Sequence, residues 1–280
     1  MAGVGVLEET KAEQIGKIVG VDIDPETMVL SHTPMRDLVE QFGNRRVLVL
    51  GPSDVTKVAL AYGFTKVVTV NELVHHYPGQ FAFRHYEHRV APFYDEPIEA
   101  VITLKTPIDW GVAVQVAIDV LIGGTPPGGG RPDGLQTPFY VSNDDFLLSS
   151  TYPHPRFAQG AFTMCLKTLY KARTTKELKV TAYGKPQSVA YTYAEKLLNK
   201  LAGRDGSNPL KTIYGIGDNP HSDIQGANNA GAHWQSILVY TGIHDGSSEP
   251  EHAPDVHAES VYEAIEYIYK QHNLAQMQSQ

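Results

Sequence analysis

One cysteine, Cys165, stands among 280 residues. With no second cysteine an intrachain disulfide is excluded, which fits a reducing compartment. No apolar run approaches the roughly 20 residues that a membrane-spanning helix needs. Positive charge is also scarce: 23 Lys and Arg against 31 Asp and Glu give a net charge of -8. No basic stripe gathers on any stretch, so a nucleic-acid backbone is not an expected partner. The first nine residues lack the basic and apolar regions of a signal peptide and the arginines of a transit peptide. They read as the interior of a domain that opens abruptly. Internal repeats and low-complexity tracts are absent.

What remains is globular composition, 42% hydrophobic and 19% charged. Apolar spacing predicts helices over 7–19, 34–42, 110–121, 160–171, 188–201, 224–230 and 260–271. A further helix runs to residue 61, with Gly63 as its stop. Strands are expected at 46–50, 66–70, 100–104, 137–142, 181–184, 212–217 and, as the last one, 237–241. The glycines and prolines of 123–134 read as a loop. Strand and helix alternate throughout, which argues for an α/β fold with parallel sheets.

The sharpest chemical signal is Gly217-Asp218-Asn219-Pro220-His221-Ser222-Asp223 after the apolar strand. Asp218 falls where a parallel strand delivers side chains to its carboxyl edge, and Asp223 opens the next helix. Two carboxylates there suit a hard cation such as Mg2+, although turn and N-cap roles account for them as readily when they are taken alone. The second signal is Gly184-Lys185-Pro186, between a strand and a helix. A lysine so placed can neutralise a phosphoryl oxygen, whereas an isolated turn lysine is merely solvated. The order lysine, helix, strand, Gly-Asp-x-x-x-x-Asp joins the two signals.

In that order, and in the run 217–231, the chain resembles class IIA hydrolases of the haloacid dehalogenase (HAD) type. More narrowly, it is similar to the branch named after the cat eye syndrome critical region protein. Ser31-His32-Thr33-Pro34-Met35-Arg36, Pro107-Ile108-Asp109-Trp110, Ser142-Asn143-Asp144-Asp145, Pro155-Arg156 with Gln159-Gly160-Ala161-Phe162, and Leu238-Val239-Tyr240-Thr241-Gly242 match that branch as well. The likeness spans nearly the whole chain. It implies Mg2+-dependent hydrolysis of a small phosphorylated molecule, with Lys185 contacting phosphate and Asp218 and Asp223 as the metal-binding acids. It implies a parallel-sheet core, residues 1–32 and 143–280, split by an inserted α/β cap over 33–142. Asn143, Asp145 and Arg156 would help close the site. A mitochondrial location follows from the resemblance alone, with the cytoplasm as the alternative, and a homo-oligomer stays open.

The resemblance also shows what to miss. Family members begin with a strand ending in Asp-x-Asp-Gly, whose first Asp attacks phosphorus and whose second moves the proton. Here Gly3-Val4-Gly5-Val6-Leu7-Glu8-Glu9 looks like the tail of the family's second motif. The expectation is therefore a chain truncated before its nucleophile and inactive as given, or else a non-catalytic HAD-like binding or assembly protein. Val21-Asp22-Ile23-Asp24 imitates the missing strand, but Pro25 and Glu26 follow where glycine would let phosphate approach. Asp22 and Asp24 read as a solvated link. His75, His76, His85 and His88 read as surface histidines in a loop rather than a metal cluster, and Cys165 as core.

Overall fold

The computed structural model describes residues 5–148, 152, 154 and 156–274. It divides into two compact units, Met1–Gly184 and Lys185–Gln280.

In the first unit, α1 (Glu8–Val19) ends at Gly20, whose φ of 74° is a left-handed cap that glycine adopts without strain. Two 3-10 turns, Pro25–Thr27 and Thr33–Leu38, and α2 (Val39–Phe42) lead to β1 (Arg46–Leu50). Then come α3 (Val55–Tyr62), β2 (Lys66–Thr69), α4 (Val70–His76), β3 (Ile98–Thr103) and α5 (Trp110–Ile122). The unit continues through β4 (Phe139–Val141), the hairpin strands β5 (Leu147–Leu148) and β6 (Arg156–Phe157), α6 (Gln159–Thr174) and β7 (Thr181–Ala182). Five strands form one parallel sheet in the order β2-β1-β3-β4-β7. Helices between strands cover both faces, so β1 is buried along its whole length and reads as an apolar run rather than an alternation. Leu48 and Leu50 pack with Val101, Phe139 and Val141 against Val116 and Leu121 of α5 and Phe162, Leu166 and Tyr170 of α6. Val47 and Val49, two-residue alternates, are buried on the other face.

A buried polar knot ties α1 to this unit. Glu8, 4% exposed, accepts hydrogen bonds from Thr33 Oγ1 (2.7 Å), Tyr62 OH (2.6 Å) and Arg36 Nη2 (3.0 Å). Burial alone would raise its pKa; the hydrogen bonds and the Arg36 charge more than offset that and hold the carboxyl below its usual range.

The second unit is a three-stranded parallel sheet, order β10-β9-β8, from β8 (Ile213–Gly217), β9 (Trp234–Val239) and β10 (Val256–Ala258). Tyr191 of α7 (Ser188–Leu201) and Ala227 of α8 (Gln225–Ala230) pack on Ile213 and Trp234. Ala264 of α9 (Val261–Gln271) packs with Ile237, Val239 and Ala258.

Several local expectations differ from the structure. The strand expected as the last, 237–241, sits at 234–239 and is followed by β10, too short for a periodic signal. His75 and His76 lie on α4 rather than in a loop; Thr69 and Glu72 start that helix with a reciprocal capping box. Cys165 is half-buried. The first compact unit runs on to residue 184, because α6 shares the core of α5 and β7 pairs with β4. Gly3, Val4 and Pro155, which carry part of the resemblance, lie outside the described residues.

Candidate active site

The chemistry-bearing residues of the second unit converge at the carboxyl end of β8. Asp218 is the first residue past the strand, and a single turn of π type, Pro220–Ile224, brings Asp223 back beside it. Asn219 shapes that turn: its side chain accepts from His221 N (3.0 Å) and its carbonyl from Asp223 N (2.9 Å). Asp223 Oδ2 in turn accepts from Asn219 N at 3.2 Å. Gly217 is required here, because a Cβ on it would overlap the Asp223 side chain. On the Asp218 side, Oδ2 accepts from Ile243 N (2.8 Å) and the carbonyl from His244 N (3.0 Å), which binds the loop after β9 to the strand end. Gly242 leaves room for that carboxylate; a Cβ there would overlap Asp218 Oδ2.

Lys185 opens this unit, and its Nζ donates to Asp223 Oδ1 in an ion pair. The two side chains retain 24% and 15% of their exposure, so both are shielded yet reachable. The structure thus brings Lys185 onto Asp223, with Asp218 at the same strand end. The residue that sequence reasoning missed is Tyr191. Its hydroxyl donates to the carbonyls of Ser222 (3.0 Å) and Asp223 (3.1 Å) and so clamps the turn. Burial, and then the Asp223 charge, push its pKa above the usual tyrosine range and keep that donor protonated. Nothing in the pattern of α7 marks Tyr191, since a tyrosine on a helix face reads as ordinary packing.

The other expected residues lie in the first unit. Asn143 and Asp145 are paired with each other: Asn143 Nδ2 donates to Asp145 Oδ2 and Asp145 N to Asn143 Oδ1, both at 2.9 Å. Arg156, on β6, is exposed and lies over the Tyr152 ring at 4.5 Å. Asp22 and Asp24 sit in exposed coil after α1, on no strand. Asp24 caps the 3-10 turn Pro25–Thr27 by accepting from Glu26 N at 2.9 Å. Among the described residues, one group of three His, Cys, Asp or Glu side chains comes within reach of a common ion: His221, Glu251 and His252, with ligand atoms within 4.8 Å. It lies on the surface, apart from the four histidines considered from the sequence.

Two family profiles match, "HAD-hydrolase-like" over residues 182–264 and "haloacid dehalogenase-like hydrolase" over residues 4–65. A cardiolipin synthase (CMP-forming)/mitochondrial hydrolase fusion protein of Schizosaccharomyces pombe is 34% identical over 96% of this chain. The chain spans 47% of that protein, about half its length. A mitochondrial hydrolase of Saccharomyces cerevisiae is 29% identical over 94% of this chain and 83% of its own length. Among solved structures, a hypothetical protein of Pyrococcus horikoshii shares the fold, with a TM-score of 0.67 at 19% identity over 95% of this chain and 84% of that one. No helix among the described residues is long and apolar enough to cross a membrane. The chain belongs to the haloacid dehalogenase-like hydrolases.

Proposed function

We propose that this chain carries the phosphate- and Mg2+-binding half of a class IIA phosphohydrolase for a small phosphate ester. We propose also that it does not turn such an ester over as given. The observation that carries this reading is the contact of Lys185 with Asp223 beside Asp218 at the end of β8. The donor set suits Mg2+, which takes one or two carboxylates and completes its shell with water and phosphate oxygens. Asp218, oriented by Ile243 N, and Asp223, oriented by Asn219 N, would hold it. Bound Mg2+ would supply positive charge against the phosphoryl oxygens. Lys185 would donate to one of those oxygens, its ammonium steered by Asp223. Tyr191 keeps the turn, and hence the Asp223 carboxylate, in place.

The nucleophile and proton shuttle are what these residues do not supply. No Asp-x-Asp-Gly occurs in the sequence. In this reading residues 33–142 act as the cap, residues 1–32 and 143–280 as the core, and Asn143, Asp145 and Arg156 as closing contacts. The names of the two yeast relatives favour mitochondria. The missing motif also favours a second reading, a non-catalytic binding or assembly protein. An in-frame upstream segment encoding Asp-x-Asp-Gly would decide for the hydrolase. The direct test is p-nitrophenyl phosphate with Mg2+ and the purified chain, with no turnover above buffer expected. Turnover abolished by Asp22→Asn would show that the nucleophile is present after all.

A further inference from the structure

The first unit contains a cavity of about 390 Å³ at the opposite edge of its sheet from the one where such folds bind substrate. Its walls come from the starts of strands: Arg46 opens β1, Ile98 and Glu99 open β3, and Thr137 precedes β4. The loop after α5, with Gly123, Gly124 and Arg131, forms the rim, and Tyr77 and Tyr94 add aromatic surface. β1 spans four residue steps, so this edge lies roughly 13 Å from the carboxyl edge of the same sheet.

Arg46 distinguishes the cavity. It is 3% exposed, yet of its guanidinium only Nη1 is bonded, to the Glu96 carbonyl at 3.0 Å. Nε and Nη2 are buried without a partner. A buried cation with two unmet donors is costly, and a planar fork of that kind matches an oxyanion. Glu96, Asp95 and Glu72 are close enough for their charges to act on Arg46, yet none of their carboxylates accepts a hydrogen bond from Nε or Nη2. Glu96 is held by Lys66 Nζ at 2.6 and 2.8 Å. Arg131 crosses the rim where Gly123 has no side chain, since a Cβ there would overlap Arg131 Cγ, and pairs with Asp133 at 3.1 Å. Glu99 is the lining carboxylate that remains.

We infer that this amino-edge cavity is a binding site for a small oxyanion, a carboxylate or a phosphate, received by the Nε and Nη2 of Arg46. The cavity falls in the size range of small-molecule sites, and the tyrosines and Ile98 give room for a short apolar body beside the anionic group. The site is separate from Lys185 and Asp218 and does not depend on the proposed hydrolase reading.

The test is thermal unfolding of the whole chain in EDTA, with inorganic phosphate or malonate added against sodium chloride at matched ionic strength. A ligand at a hundredfold excess over its Kd should raise Tm by about 5 °C or more. A larger rise with phosphate assigns a phosphate, and a larger rise with malonate a carboxylate. The rise should persist in Lys185→Ala and vanish in Arg46→Met. Loss of the rise in Lys185→Ala, its survival in Arg46→Met, or no rise with either anion overturns the inference. Glu99→Gln provides a check that leaves the buried arginine intact. It should tighten binding of the stronger anion at least threefold, and unchanged or weaker binding counts against the site.

Discussion

Acid should destabilise the first unit through one histidine. His32 is fully buried, and its Nδ1 lies 2.6 Å from the Tyr62 hydroxyl. That hydroxyl donates to Glu8, so its oxygen accepts from a neutral imidazole. Burial, only partly offset by the Glu8 charge, lowers the His32 pKa from 6.5 to about 4. A depressed pKa means that the unfolded chain binds this proton first. The stabilising contribution is therefore complete above pH 6.5, declines as pH falls, and is spent near pH 4. The gap of about 2.5 pKa units corresponds to roughly 3 kcal/mol at 1.36 kcal/mol per unit. For a domain of this size that is on the order of 6–12 °C in Tm. The comparison is chemical denaturation of wild type and His32→Gln at closely spaced pH values from 7.5 to 4. Glutamine keeps a donor for Tyr62 but cannot take up a proton. The other 11 of the 12 histidines are common to both proteins and cancel in the difference. Wild type should lose about 3 kcal/mol more than the variant across the window. Parallel curves would refute the buried-neutral assignment.

Three further outcomes follow from the same contacts. Tyr191→Phe removes both hydrogen bonds that clamp the turn and should cost the second unit about 1–3 kcal/mol, read by urea denaturation; a loss under about 0.3 kcal/mol would show that the turn holds itself. Gly217→Ala should displace Asp223 from Lys185 while α9 and β10 keep their packing, detectable as shifted amide resonances confined to 217–224; shifts spread evenly over the unit would contradict the local clash. Among the described residues β8 pairs with β9 alone, whereas β1 is flanked by β2 and β3, so amides of 213–217 should exchange with deuterium faster than those of 46–50. Equal protection would mean that the edge of β8 is covered.

Much of this architecture can be read locally. Arg46 to Leu50 is an apolar strand closed by Gly51-Pro52, and Gly63 stops α3 with a φ of 109°. The order of Lys185, α7, β8, Asp218 and Asp223 carries the candidate site, because each residue's place at a strand end follows from the element before it. What escaped the sequence depends on distant packing. Phe162, Leu166 and Tyr170 join the core of α5, and no local periodicity reveals which core a helix enters. β5, β6 and β10 have two or three residues each, less than one period of alternation can identify. Arg46 looks like the polar edge of a strand, and its burial arises only when four separate segments close over it. Tyr191 acts through main-chain carbonyls that sit 31 and 32 residues away, a relation without a sequence signature.

The central claim is that Asp218, Asp223 and Lys185 are one half-site for Mg2+ and phosphate. Its most direct measurement is calorimetric titration of the chain with MgCl2 in the presence of inorganic phosphate, repeated with Asp218→Asn and Lys185→Met. Wild type should bind Mg2+, with the affinity weakened at least tenfold by Asp218→Asn and the dependence on phosphate abolished by Lys185→Met. Asp22→Asn should leave both unchanged. Mg2+ binding that ignores Asp218, or that is lost on changing Asp22, would contradict the account.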